Sequence, residues 1–171
     1  MSSERVASPA LEKMGLHELI DRLEDLEGRR TPIGWSPDDT VERVAIERRI
    51  MELVGDPAPD ADRRQGMRLS CILQVKLRTK EQSVRGRVTD IGHGGVFVAT
   101  DAELEVGTSV ELEVRSEGSD EHGLRVRGQI AWRHQGDERG VGISFTERPT
   151  AAHERRLRRF VLELLRHRIQ N

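Results

Sequence analysis

Apolar positions change period along this chain, and the changes divide it. Near the N-terminus Leu16, Leu19, Leu23 and Leu26 recur at three- and four-residue steps with Glu and Arg between them, the spacing of an amphipathic helix. Ser8-Pro9 supplies a hydroxyl cap and a proline for the first helical position, so a helix is expected from there to the breaker run Gly28-Arg29-Arg30-Thr31-Pro32-Ile33-Gly34. A second start follows at Ser36-Pro37-Asp38-Asp39, whose acids suit the positive helix end. Val41, Val44, Ala45, Ile46, Ile50 and Leu53 carry this helix to Val54, and Gly55-Asp56-Pro57-Ala58-Pro59 stops it. The pattern predicts a helical hairpin over 1–55, with Trp35 as a packing anchor in its turn, and a linker over 56–62. Two short helices are marginal alone in water, so the hairpin needs a partner surface: another copy of itself, the domain behind the linker, or a different protein.

Beyond the linker the period becomes two. Leu69, Cys71, Leu73, Val75 and Leu77 alternate with Ser70, Gln74, Lys76 and Arg78, a strand with one buried face on which Cys71 is a small core residue. Val84 to Val88 and the run from Gly95 to Thr100 flank a glycine-rich turn. Val110, Leu112 and Val114 form a further strand, as do Leu124, Val126, Ile130 and Trp132, and Val141, Ile143 and Phe145 close the series. About six short strands joined by Gly-, Ser- and Asp-bearing turns predict a small antiparallel barrel, making the chain mainly β. A helix from about Thr150 to His167 ends it, with Leu157, Phe160, Val161, Leu164 and Leu165 as its stripe and arginines on the remaining surface. It is expected to cap one mouth of the barrel.

At 171 residues the chain can bury a real core. Its net charge of −2 lacks the basic excess of a dedicated polyanion binder. Residues 1–55 carry 8 Lys or Arg against 12 Asp or Glu, and residues 56–171 carry 20 against 18, so a small anion is the better ligand class. Aromatics are 3% and tyrosine is absent, which leaves little stacking surface for nucleic acid. Cys71 stands alone, so no disulfide framework or thiolate cluster is expected. No signal-like apolar segment opens the chain and no run approaches a membrane span, which points to a cytoplasmic protein. The six histidines are scattered without ligand spacing, and neither a hydrolase triad nor a phosphate loop is present. No enzyme, metal or cofactor is expected.

The chemistry-bearing stretch is Thr89-Asp90-Ile91-Gly92-His93-Gly94-Gly95-Val96-Phe97, three glycines in four residues beside one acid at a strand end. Upstream, Arg63-Arg64-Gln65-Gly66-Met67-Arg68 runs into the first strand. Arginines and a carboxylate at strand ends of one small β-domain can meet on one surface.

Arg64-x-x-x-Arg68 followed by Asp90-x-Gly92-x-x-Gly95 resembles the paired signature of PilZ domains, RxxxR and then [D/N]xSxxG. Gly-Val-Phe-Val after it and Arg139-Gly-Val-Gly-Ile-Ser-Phe145 look like the family's later strands. The resemblance covers about Asp62 to Asn171, and Gly92 stands where the family has Ser. It implies a PilZ-like barrel over 63–171 and cyclic di-GMP as ligand, bound by Arg63, Arg64, Arg68, Asp90, Gly92 and Gly95, with His93 as a weaker candidate. In the family the residue before the first motif influences whether one ligand or an intercalated pair binds; here it is Arg63, which by resemblance favours the pair. The residue types suit that ligand: arginine matches phosphate oxygens and the guanine O6/N7 edge bidentately, and a carboxylate matches guanine N–H donors. Losing one neutral hydroxyl hydrogen bond at Gly92 costs about 0.5–1.5 kcal/mol, which weakens binding without abolishing it. The implied function is a non-enzymatic sensor in which binding orders the segment from Asp56 to Met67 and relays the event to a partner. The alternative is a degenerate adaptor that binds no nucleotide and works through protein contacts.

Overall fold

The computed structural model describes residues 9–54, 68–115, 123–146 and 151–170. These fall into two compact units, one before Arg68 and one from Arg68 onward.

The first unit opens with α1 (Pro9–Glu12), a single turn, followed by α2 (Leu16–Arg29) and α3 (Pro37–Val54). The sequence pattern runs the first two together, and Gly15 separates them. It takes an extended conformation as the cap of α2, where the Glu18 carboxylate accepts its N–H at 2.7 Å. Leu19, Ile20, Leu23 and Leu26 of α2 and Ile46 and Ile50 of α3 are buried. Trp35 anchors the turn as expected: its indole N–H donates to the Leu26 carbonyl at 3.1 Å, and the guanidinium groups of Arg30 and Arg43 lie 4.4 and 5.0 Å from its ring. Glu47, buried in α3, is held by Arg43 one turn earlier at 2.8 Å. Val41, Val44 and Leu53, expected on the packed face, are 42–44% exposed.

The second unit is a closed six-stranded antiparallel barrel: β1 (Arg68–Arg78), β2 (Ser83–Gly92), β3 (Gly95–Ala99), β4 (Ser109–Arg115), β5 (Leu124–His134) and β6 (Gly140–Phe145). Around the barrel the order is β1-β2-β3-β6-β5-β4. Its interior is filled by the alternating residues of each strand, among them Leu73, Val75, Leu77, Val88, Val98, Leu112, Val126 and Ile143, with Leu104 added from the β3–β4 connection. Closure leaves no free sheet edge.

Three one-residue bulges interrupt the ladders: in β1 between Ser70 and Leu73, in β2 between Val88 and Asp90, and in β5 between Ile130 and Trp132. Those in β2 and β5 break the inward–outward alternation of their strands, whereas β1 keeps its phase across the bulge. Trp132, which strict alternation puts in the core, is therefore 49% exposed; Ile72, 73% exposed, lies on the outward set of β1 with Ser70 and Gln74. Cys71 sits in the first bulge, half-buried, with its thiol 3.9 Å from the Val88 carbonyl. Burial pushes that thiol up to about 12, with the Asp90 charge adding to the shift and Arg168 opposing it.

A C-terminal helix, α4 (Ala151–Gln170), follows. Its buried stripe is Leu157, Phe160, Val161, Leu162 and Leu165; Leu162 replaces the expected Leu164, which is half-buried. No helix among the described residues is long and apolar enough to cross a membrane.

Candidate functional site

Arg68 opens β1 and is the Cα partner of Gly92, the last residue of β2; two rungs along, Ser70 faces Asp90. The bulge in β2 brings Asp90 beside Phe97 of β3 rather than into the barrel. From there a single row crosses the outer face: Asp90 to Phe97, Phe97 to Gly142 of β6, and Gly142 to Trp132 of β5. The sequence motifs thus converge with residues that lie far along the chain.

At one end of the row the Arg68 guanidinium meets Asp90 Oδ2 at 3.2 Å, with side chains 39% and 34% exposed. The other carboxylate oxygen, Oδ1, is buried and accepts no hydrogen bond among the described residues. A carboxylate oxygen in that position costs stability unless a donor reaches it. An N–H that reached Oδ1 through a local rearrangement would satisfy it, and the Arg68 guanidinium beside it can turn to an anionic or acceptor group.

At the other end the rings of Phe97 and Trp132 stack at 5.3 Å between centroids and 20° between planes, and His134 meets Phe97 edge-on at 6.4 Å. Gly142 makes this possible, because a Cβ there would press into the indole of Trp132. Sequence reading missed this aromatic face. Period-two alternation assigns Trp132 to the core, and only the cross-strand register shows that Phe97 and Trp132 are neighbours. Next to His134 opens a polar cleft of about 290 Å³, lined in part by Thr100, Asp101, Arg133 and Arg139.

The glycine turn joins the two ends of the hairpin. Gly92 is buried at the end of β2, His93 is half-buried, and Gly94 is exposed with open space where a Cβ would stand. Gly95 has a packing requirement: a Cβ would press on the Ile143 carbonyl of β6, so its bareness lets β3 and β6 pair closely. The structure brings Arg68, Asp90, Gly92, His93 and Gly95 to one end of the β1–β2–β3 sheet. Arg63 and Arg64, and the expected linker over 56–62, lie outside the described residues.

The second unit is thus a small closed β-barrel that carries an arginine and an acid on its outer face beside a glycine turn. The family model for the PilZ domain matches residues 62–163, and the chain belongs to the PilZ domain family. No curated protein matches the sequence. Among solved structures, YcgR from Escherichia coli in complex with c-di-GMP is 22% identical, with a TM-score of 0.52 over 63% of this chain and 48% of that one. The isolated PilZ domain of YcgR with c-di-GMP is 20% identical, with a TM-score of 0.51 over 63% and 95%. The Bacillus subtilis inhibitor of motility MotI is 20% identical, with a TM-score of 0.48 over 67% of this chain and 57% of that one. The chain thus spans little more than half the length of MotI, and at these identities the YcgR likeness is one of fold.

Proposed function

We propose that this protein is a non-enzymatic, cytoplasmic receptor for cyclic di-GMP that passes nucleotide binding on to a protein partner through its helical unit. The observation that carries the reading is the pairing of Arg68 with Asp90, whose second carboxylate oxygen has no donor among the described residues. A guanine Watson–Crick edge supplies N–H donors to that oxygen, and Arg68 turns from Asp90 to a phosphate or to the O6/N7 edge. The Phe97–Trp132 stack offers a flat apolar surface along the same row, suited to a purine face. Arg64, and Arg63 before it, complete the set by family resemblance and reach the Asp90 side as the ligand draws the preceding segment over the barrel.

Calorimetric titration with cyclic di-GMP, with GTP and cyclic di-AMP as controls, tests this directly. Selective binding is expected, near two nucleotides per chain if Arg63 acts as its resemblance implies. Arg64→Ala and Arg68→Ala each remove a contact worth about 1–3 kcal/mol. Full affinity in both variants would refute the site, and absence of heat in the wild type would leave the adaptor reading, which Gly92 in place of the family Ser favours.

A further inference from the structure

The end of the β2–β3 hairpin away from the glycine turn carries charges that the Asp90 side does not use. The polar cleft beside His134, about 290 Å³, is walled by Arg133 and His134 at the end of β5, by Arg139 just before β6, and by Asp101 and Glu103 on the segment that follows β3. Around the barrel β6 stands between β5 and β3, and its first residues, Gly140 and Val141, line the cleft as a buried floor. Thr100, just past β3, lies roughly 17 Å from Gly95 at about 3.3 Å per residue. The cleft and the glycine turn are therefore separate places.

Cations and carboxylates line this one opening, yet Arg133, Arg139, Asp101 and Glu103 form no ion pair and no side-chain hydrogen bond among the described residues. Backbone contacts hold the two sets in place. The Thr100 N–H donates to the Arg139 carbonyl at 3.1 Å, the Thr100 hydroxyl oxygen accepts the Ala102 N–H at 3.2 Å, and the Gln82 side-chain amide donates to the Glu103 carbonyl at 3.2 Å. Gly140 adds a tight seat, because a Cβ there would press on the Val98 carbonyl and the Phe97 ring. Side chains of both signs thus stand on anchored backbone, open to solvent, and a ligand has no strong internal pairing to displace.

We propose that this cleft is a second ligand site, which takes a small molecule of both signs: a phosphate or carboxylate held by Arg133 and Arg139, and N–H donors held by Asp101 and Glu103. Arginine forks match either oxyanion, and a carboxylate matches paired N–H groups. The cleft stands at the lower end of ligand-cleft volumes, about 300–1,000 Å³, which suits a single nucleotide or a free amino acid rather than a cyclic dinucleotide. Guanosine monophosphate supplies the phosphate, a flat ring for the exposed imidazole of His134, and the N–H groups of its Watson–Crick edge. L-arginine supplies a carboxylate and a guanidinium without the ring. The site is independent of cyclic di-GMP binding at Asp90.

Calorimetry of the full chain with guanosine monophosphate, L-arginine and inorganic phosphate is the test. At least one of the first two is expected to bind with a dissociation constant below about 1 mM, and more tightly than phosphate; which of them binds tells whether the anion is a phosphate or a carboxylate. Arg133→Ala/Arg139→Ala and, separately, Asp101→Asn/Glu103→Gln should each weaken that binding about tenfold or more. Their melting temperatures should stay at the wild-type value, because all four side chains are exposed. Absence of binding by both molecules below about 1 mM overturns the inference. Phosphate that binds as tightly as the larger probes overturns it too, as does full affinity in the Asp101→Asn/Glu103→Gln variant, since either leaves a plain anion contact. Loss of binding in Asp90→Ala with full affinity in both cleft variants also overturns it, and moves the molecule to the Arg68–Asp90 site. Titration of the cleft variants with cyclic di-GMP reports separately on the receptor reading, because neither touches Arg68 or Asp90.

Discussion

The Asp90 carboxylate divides its oxygens unequally: Oδ2 meets Arg68, and Oδ1 is buried with no donor among the described residues. For folding alone this is a cost, since an unsatisfied buried acceptor is worth about 1–3 kcal/mol against stability. Asp90→Ala is therefore expected to leave the melting temperature unchanged or raised, and to lower cyclic di-GMP affinity roughly ten- to a hundredfold, the worth of hydrogen bonds to a charged group. Thermal melting and calorimetry on one preparation check both halves; a variant that loses stability and keeps affinity would make Asp90 structural. Cys71 gives a second prediction at this scale. Its thiol is raised from 9.0 to about 12, chiefly by burial, so the neutral form is favoured in the fold. The associated stability is complete below about pH 9.0 and is lost as pH rises toward about 12. At neutral pH the folded protein should react slowly with iodoacetamide, and the denatured chain at the rate of an ordinary cysteine.

Among the elements, β5 and β6 carry the sharpest test of the site's construction. Trp132 reaches Phe97 only because the β5 bulge turns it outward and Gly142 leaves room beneath it. Gly142→Ala should push the indole away, with loss of a stacking contact of about 0.5–1.5 kcal/mol and a change in near-ultraviolet circular dichroism. Gly95→Ala should cost more, because its Cβ meets backbone of β6 that cannot turn aside. These details explain what was legible in the sequence. The six strands, the barrel and the terminal helix are written in simple periods, and Arg68, Asp90, Gly92 and Gly95 are singled out by their resemblance to the PilZ signature. A bulge adds one residue without any fixed residue type, so the outward turn of Trp132 is invisible to a period count, and so is the register that seats it by Phe97. Gly15 divides α1 from α2 through a local cap that the long-range leucine pattern hides. In α3 the apolar residues occupy both sides, and the sequence alone does not show that Ile46 and Ile50 are buried while Val41 and Val44 are exposed.

For the whole molecule the division into two compact units makes the relay itself measurable. A ligand that binds only the native barrel stabilises it by about 2.7 kcal/mol at a free concentration one hundred times its dissociation constant. If the helical unit unfolds independently, that stabilisation appears in the barrel transition alone. A receptor that passes the event on must couple the two, because a conformational response needs a difference in ligand affinity between the states it joins. Hydrogen exchange with and without cyclic di-GMP separates these cases. Protection of β1, β2 and β3 around Arg68, Asp90 and Gly95 is expected from binding, and changed exchange in α2 or α3 is expected from relay. Protection confined to the barrel strands would keep the receptor and remove the relay. Unchanged exchange throughout, at nucleotide concentrations that saturate a known receptor, would transfer the function to protein contacts alone.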